Sequence, residues 1–133
     1  MEEKLIKDTY GLEELEDVGD TLVTWYNSLI NKVPESVSAF DINRMIRQNV
    51  LPELALERAV VELSNNPFVG DSTNGDVLEH VLSLDDDLIS SKSKELKLII
   101  KKAESNMNNV AWWFPEEKDE YKEMLARLKK KIK

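Results

Sequence analysis

A chain of 133 residues, 41% hydrophobic and 33% charged, is sized for one folded domain that buries roughly two-thirds of its unfolded surface. It has no cysteine, which excludes a disulfide framework and a thiolate metal site. The net charge of −8 hides a polarity: residues 1–90 carry 19 acids against 6 bases, and residues 91–133 carry 7 against 12. The larger part repels nucleic acid and attracts a basic partner, while the charge itself says nothing about fold.

Residues 1–19 read as an acidic N-terminal leader ahead of a single helical domain over 20–133. Gly11 and Gly19 bracket LEELEDV, where Leu12, Leu15 and Val18 recur every three residues, so a short helical turn, a docked arm or a frayed segment is expected there. Asp20 then suits the cap of a helix from about Thr21 to Lys32, because its carboxylate can accept the free amides of the first turn. Leu22, Trp25, Tyr26, Leu29 and Ile30 form its apolar stripe, and Pro34 follows its end.

Ser38 with Asp41 approximates a capping box, Val37 standing at the hydrophobic staple position. The helix it opens, about Ala39 to Gln48, turns Ile42, Met45 and Ile46 inward, and Asn49 can adopt the left-handed conformation that closes it. Pro52 fits the first turn of a third helix with Leu54, Leu56, Ala59, Val60 and Leu63 on its apolar face. Asn65-Asn66-Pro67 stops that helix, and the loop VGDSTNGD leads into a fourth, about Gly75 to Leu84.

Asp85, Asp86 and Asp87 complement the dipole of a fifth helical pattern that carries Leu96, Ile99, Ile100 and Ala103 up to about Asn106. The last helix opens at Pro115 with Glu116 and Glu117 and ends in Lys129, Lys130, Lys131 and Lys133, matching the dipole at both poles. With no convincing alternating strand, the expected architecture is an all-α, single-domain bundle of about five to six helices with short connections.

Catalytic chemistry finds little to stand on. His80 is the only histidine and lies inside a helical pattern away from any nucleophile-elbow sequence. Asp71 and Asp76 flank STNG, yet an EF-hand numbered from Asp71 would need Gly at position 76 and Glu at position 82, where Asp and Leu stand. The lysines at 129–133 sit at a helix end without interleaved aromatics, so nucleic-acid binding is not expected. No stretch approaches the ~18–20 apolar residues that span a bilayer, and the acidic N-terminal segment lacks an apolar run of signal-peptide length. A non-enzymatic, cytoplasmic protein without metal, cofactor or membrane partner is the expectation.

The pattern of Leu12–Glu16 (LEELE), Ser38–Gln48 (SAFDINRMIRQ), Ala59–Phe68 (AVVELSNNPF), Gly70-Asp71, and Gly75-Asp76 followed by Val77-Leu78 and Val81-Leu82 resembles the immunity proteins of bacterial contact-dependent growth inhibition (CDI). Those carry a LEELE-like opening, a capped helix of the form T-x-x-D-L-R-x-L-I-x-Q, an ALE-x-L-x-x-NP-L helix end and a GD…GDLL…VL loop and helix. This chain departs at Asn43 and Arg47 and in a shorter loop between the two GD pairs. The resemblance implies a protein that binds the toxic C-terminal domain of a large secreted effector, often a nuclease, by covering its active site or blocking access beside it. A helical adaptor unconnected to any toxin is the alternative reading.

Candidate partner-binding residues follow from charge and exposure: Glu13, Glu14, Glu16 and Asp17 in the leader, Asp71 and Asp76 in the loop, Asp85–Asp87, and Trp112. Trp112 and Trp113 cannot both face one core pocket. Either both are covered by other segments or one is exposed, and an exposed Trp is typical of binding hot spots.

Overall fold

The structure is a computed structural model and describes residues 4–132. Its elements are α1 (Ile6–Tyr10), α2 (Thr21–Ile30), α3 (Ala39–Arg47), α4 (Pro52–Asn65), α5 (Asp76–Val81), α6 (Asp86–Ser90), α7 (Ser93–Asn106) and α8 (Pro115–Lys131), with 3-10 turns at Pro34–Ser36 and Met107–Asn109. The expected all-α bundle is what forms. It holds eight helices among the described residues, five of them at least seven residues long.

Local chemistry sets most boundaries. Asp20 caps α2 by accepting the amides of Leu22 at 2.8 Å and Val23 at 3.4 Å. Ser38 and Asp41 form the reciprocal box: the Asp41 amide donates to Ser38 Oγ, and the Ser38 amide donates to Asp41 Oδ2, both at 3.2 Å. Asn49 takes φ +52, and α3 closes as a Schellman turn in which the Val50 amide donates to the Met45 carbonyl and the Asn49 amide to that of Ile46. Leu51 is also left-handed, at φ +46. For a residue with a Cβ that backbone costs about 1–2 kcal/mol, so the α3–α4 corner is held by the packing on either side of it.

Two elements depart from the periodicity. The leader's helix lies at Ile6–Tyr10 rather than across Leu12, Leu15 and Val18. Ile6 is completely buried and its amide donates to the Lys32 carbonyl at 2.9 Å, which anchors α1, while Leu12 packs against the core so that the segment after it lies as a docked arm. The fifth pattern breaks into α6 and α7 because its serines bond backwards. Ser91 Oγ donates to the Leu88 carbonyl at 2.5 Å, and Ser93 Oγ to the Ser90 carbonyl at 2.8 Å.

α3 packs on α4 and α5, α4 also meets α5 and α7, and α8 closes against α6. The core runs through Leu29, Ile42, Met45, Leu56, Leu63, Leu78, Ile89, Leu96 and Tyr121, all fully buried. No helix among the described residues is long and apolar enough to cross a membrane.

Candidate partner-binding surfaces

Three buried carboxylates organise the polar interior. Asp41, beyond its capping role, accepts Trp25 Nε1 at 3.0 Å and Lys32 Nζ at 2.6 Å. Burial alone would raise its pKa. The bonds from Lys32, Trp25 and the Ser38 amide outweigh that and hold the carboxyl below the ordinary aspartate value. One residue thereby ties α2 to α3.

Asp76 does the same for the VGDSTNGD loop. Its carboxylate accepts the amides of Asp71 (2.8 Å), Ser72 (2.8 Å) and Thr73 (3.1 Å), and Asn43 Nδ2 from α3 at 2.9 Å. Burial pushes its pKa up, and the donors from Ser72, Asn43, Asp71 and Thr73 pull it down further, leaving it lowered. Two glycines make this wrap possible. A Cβ on Gly70 would run into the Thr73 carbonyl and the Asp76 carboxylate, and Gly75, at φ +79, lies where a Cβ would come within 2.6 Å of the Tyr121 ring.

Glu117 completes the set. It is buried at the start of α8 and accepts Asn74 Nδ2 at 2.9 Å and the Trp113 amide at 3.4 Å. Beneath it Phe68, Trp112 and Tyr121 pack as a trio with ring centres 4.9–5.8 Å apart. Tyr121 donates its hydroxyl to the Pro67 carbonyl at 2.7 Å, and burial pushes its pKa well up. His80 fits an ordinary helical role. Its Nδ1 lies 2.7 Å from the Asp76 carbonyl and its Nε2 3.3 Å from Arg47 Nη1.

The candidate contact residues scatter over this frame. Glu13, Glu14 and Glu16 are exposed on an extended arm pinned at Leu15, whose amide and carbonyl bond the Asn27 carboxamide at 2.8 and 2.9 Å. Asp17 is also exposed and accepts the Gly19 amide and the Thr24 hydroxyl, bonds that lower its pKa. Asp71 is exposed on the loop, whereas Asp76 turns inward with both oxygens engaged. Trp112 is half-buried, its indole donating to the Met107 carbonyl at 3.1 Å. Its neighbour Trp113 is the exposed member, at 75%, with Phe114 at 47% beside it.

Asp85, Asp86 and Asp87 are exposed along one side of an open groove of about 870 Å³, with Glu53 from α4 also in its lining and Ile46, Pro52, Leu84 and Leu88 as its apolar part. Lys131 bridges Asp86 at 2.6 Å. Among the described residues no cation bridges Asp85, Asp87 or Glu53. The structure thus brings one candidate cluster, the aspartate run, together with an acid that sequence spacing could not single out. It leaves the leader acids and Asp71 on other elements. No group of three or more His, Asp or Glu side chains suited to a metal ion occurs among the described residues.

No curated protein and no solved structure matches this chain. A family model described as CDI immunity proteins matches residues 8–99, a span that runs from within α1 to the middle of α7 and takes in both polar networks centred on Asp41 and Asp76. With more than half of its length matched, the chain belongs to the CDI immunity proteins, the toxin-neutralising members of that inhibition system.

Proposed function

We propose that this protein neutralises a nuclease toxin by forming a one-to-one complex, without turnover, in which its acidic surface covers the basic cleft that would hold nucleic acid. The observation that carries this reading is the groove edged by Asp85, Asp87 and Glu53, whose carboxylates have no bridging cation among the described residues. Carboxylates without a bridging cation present negative potential to an approaching cation-rich surface and accelerate encounter. Asp71, Glu13, Glu14 and Glu16 extend that potential over other parts of the surface. Asp76 is assigned to the frame instead, since its charge is consumed by the loop amides.

The test uses the C-terminal domain of the effector encoded by the reading frame immediately upstream of this chain's own. Glu53→Lys/Asp85→Lys/Asp87→Lys should slow association with that domain by about tenfold or more and flatten its salt dependence. Protection from nucleic-acid cleavage should saturate at one immunity chain per toxin domain. Unchanged association by the triple variant, or protection at far below equimolar ratio, would refute the reading.

A further inference from the structure

The geometry points to a second contact surface, the aromatic turn Trp113–Phe114 and the groove that Phe114 lines, as the seat of a basic side chain of the toxin domain. This rests on the neutralisation proposed above and concerns residues outside the acidic run that carries it.

Among the described residues only Val18, of the exposed large hydrophobic side chains, is more exposed than Trp113, and Phe114 adjoins that indole. An uncovered indole beside a second ring is a large apolar area for a protein of this size to leave in water, and Trp is the residue most enriched in binding hot spots. Below the turn lies a groove of about 320 Å³ between the VGDSTNGD loop, α5 and α8, lined among others by Thr73, Asn74, Glu79, Phe114, Glu120 and Glu123. Glu79, Glu120 and Glu123 are exposed and have no bridging cation among the described residues. Arg127 is the one basic residue in the lining. A guanidinium or ammonium group entering there meets the Phe114 ring and the carboxylates together, with the Trp113 indole next to Phe114 at the rim as further contact area.

The turn is also held ready. Glu117 grips the Trp113 amide and the Asn74 side chain at once, and Asn74 Nδ2 reaches the Ala111 carbonyl at 3.3 Å. Loop and turn are therefore one rigid unit although some 40 residues of chain separate them, and little ordering cost attends binding. The charge of the groove names the occupant. A purely apolar segment would leave three carboxylates facing it unpaired, and a second copy of this acidic chain would bring like charges together.

The experiment compares four proteins binding the same upstream-encoded toxin domain: unaltered chain, Trp113→Ala, Glu120→Lys/Glu123→Lys, and Leu98→Ala as an exposed apolar control at 63%. Thermal midpoints should agree within error, because none of these side chains is buried. Trp113→Ala should weaken the complex about thirty-fold or more, the double glutamate variant should both weaken it and slow association, and Leu98→Ala should match the unaltered chain. If the unaltered chain binds and both groove variants bind equally well, this surface is free in the complex and the inference fails while the neutralisation reading stands. Loss with Trp113→Ala but none with the glutamate pair overturns the basic occupant in favour of an apolar one. Dimerisation of the unaltered chain that Trp113→Ala abolishes, with toxin affinity intact, assigns the surface to self-association and equally overturns it. Failure of the unaltered chain to bind overturns both readings.

Discussion

Replacing Asp76 with alanine removes the acceptor on which one loop and one helix converge. Four donors lose their partner: the amides of Asp71, Ser72 and Thr73, and Asn43 Nδ2. The three loop residues are exposed, so water can replace much of what their amides lose. Asn43 is only 3% exposed and its Oδ1 already lacks a protein partner. Its whole carboxamide would then be buried and unpaired, which costs about 1–3 kcal/mol. Adding the charge-assisted bonds at the low end of their range gives a destabilisation of about 3 kcal/mol at neutral pH, a large share of the ~5–15 kcal/mol expected for a domain. Urea denaturation should show the midpoint falling at unchanged slope. Adding Asn43→Ala to the variant should cost about 1–2 kcal/mol less than Asn43→Ala alone.

The pH dependence has a definite direction. Because the folded pKa of Asp76 lies below the unfolded one, its contribution is complete above the ordinary aspartate value near 4 and is lost as pH falls through the folded pKa. The stability gap between the unaltered chain and Asp76→Ala should stay level from pH 7 to about 5 and close at lower pH. A variant within about 0.5 kcal/mol of the unaltered chain at pH 7, below the usual cost of a buried unpaired group, would refute the reasoning. So would a gap that persists unchanged into strong acid.

Gly75→Ala should lose about 2–4 kcal/mol, combining a left-handed backbone at φ +79 with a Cβ 2.6 Å from the Tyr121 ring; a thermal midpoint equal to that of the unaltered chain would show that the loop end is not pinned there. Tyr121→Phe leaves the buried Pro67 carbonyl without its 2.7 Å donor and should cost about 1–2 kcal/mol in denaturant titration while helical circular dichroism stays the same.

Much of the frame was legible because its signals are local. Asp20, the Ser38–Asp41 box, Asn49 and Pro52 act within a turn of where they stand, and each does in the structure what its spacing implies. The inward residues of α3, α4, α5 and α7 follow from helical periodicity alone. Ser91 and Ser93 were harder to read, since a hydroxyl that bonds backwards looks in sequence like any exposed helix residue. Long-range pairings left no trace in spacing: Asp41 finds Trp25 and Lys32 on or just after another helix, and Asp76 finds Asn43 33 residues away. For the same reason Asp76 looked like a surface acid, and nothing in the Trp112-Trp113 pair told which ring would join Phe68 and Tyr121.

The inward-facing acids carry a consequence for how such a molecule can change. Asp41, Asp76 and Glu117 are buried and hydrogen-bonded within the scaffold, whereas Asp85, Asp87, Glu53, Glu79, Glu120 and Glu123 have no ion-pair partner among the described residues and add at most a helix-dipole contribution. If the outer acids meet the toxin as proposed, exchanging them alters recognition at little cost to folding, whereas exchanging any of the inner three loosens the architecture itself.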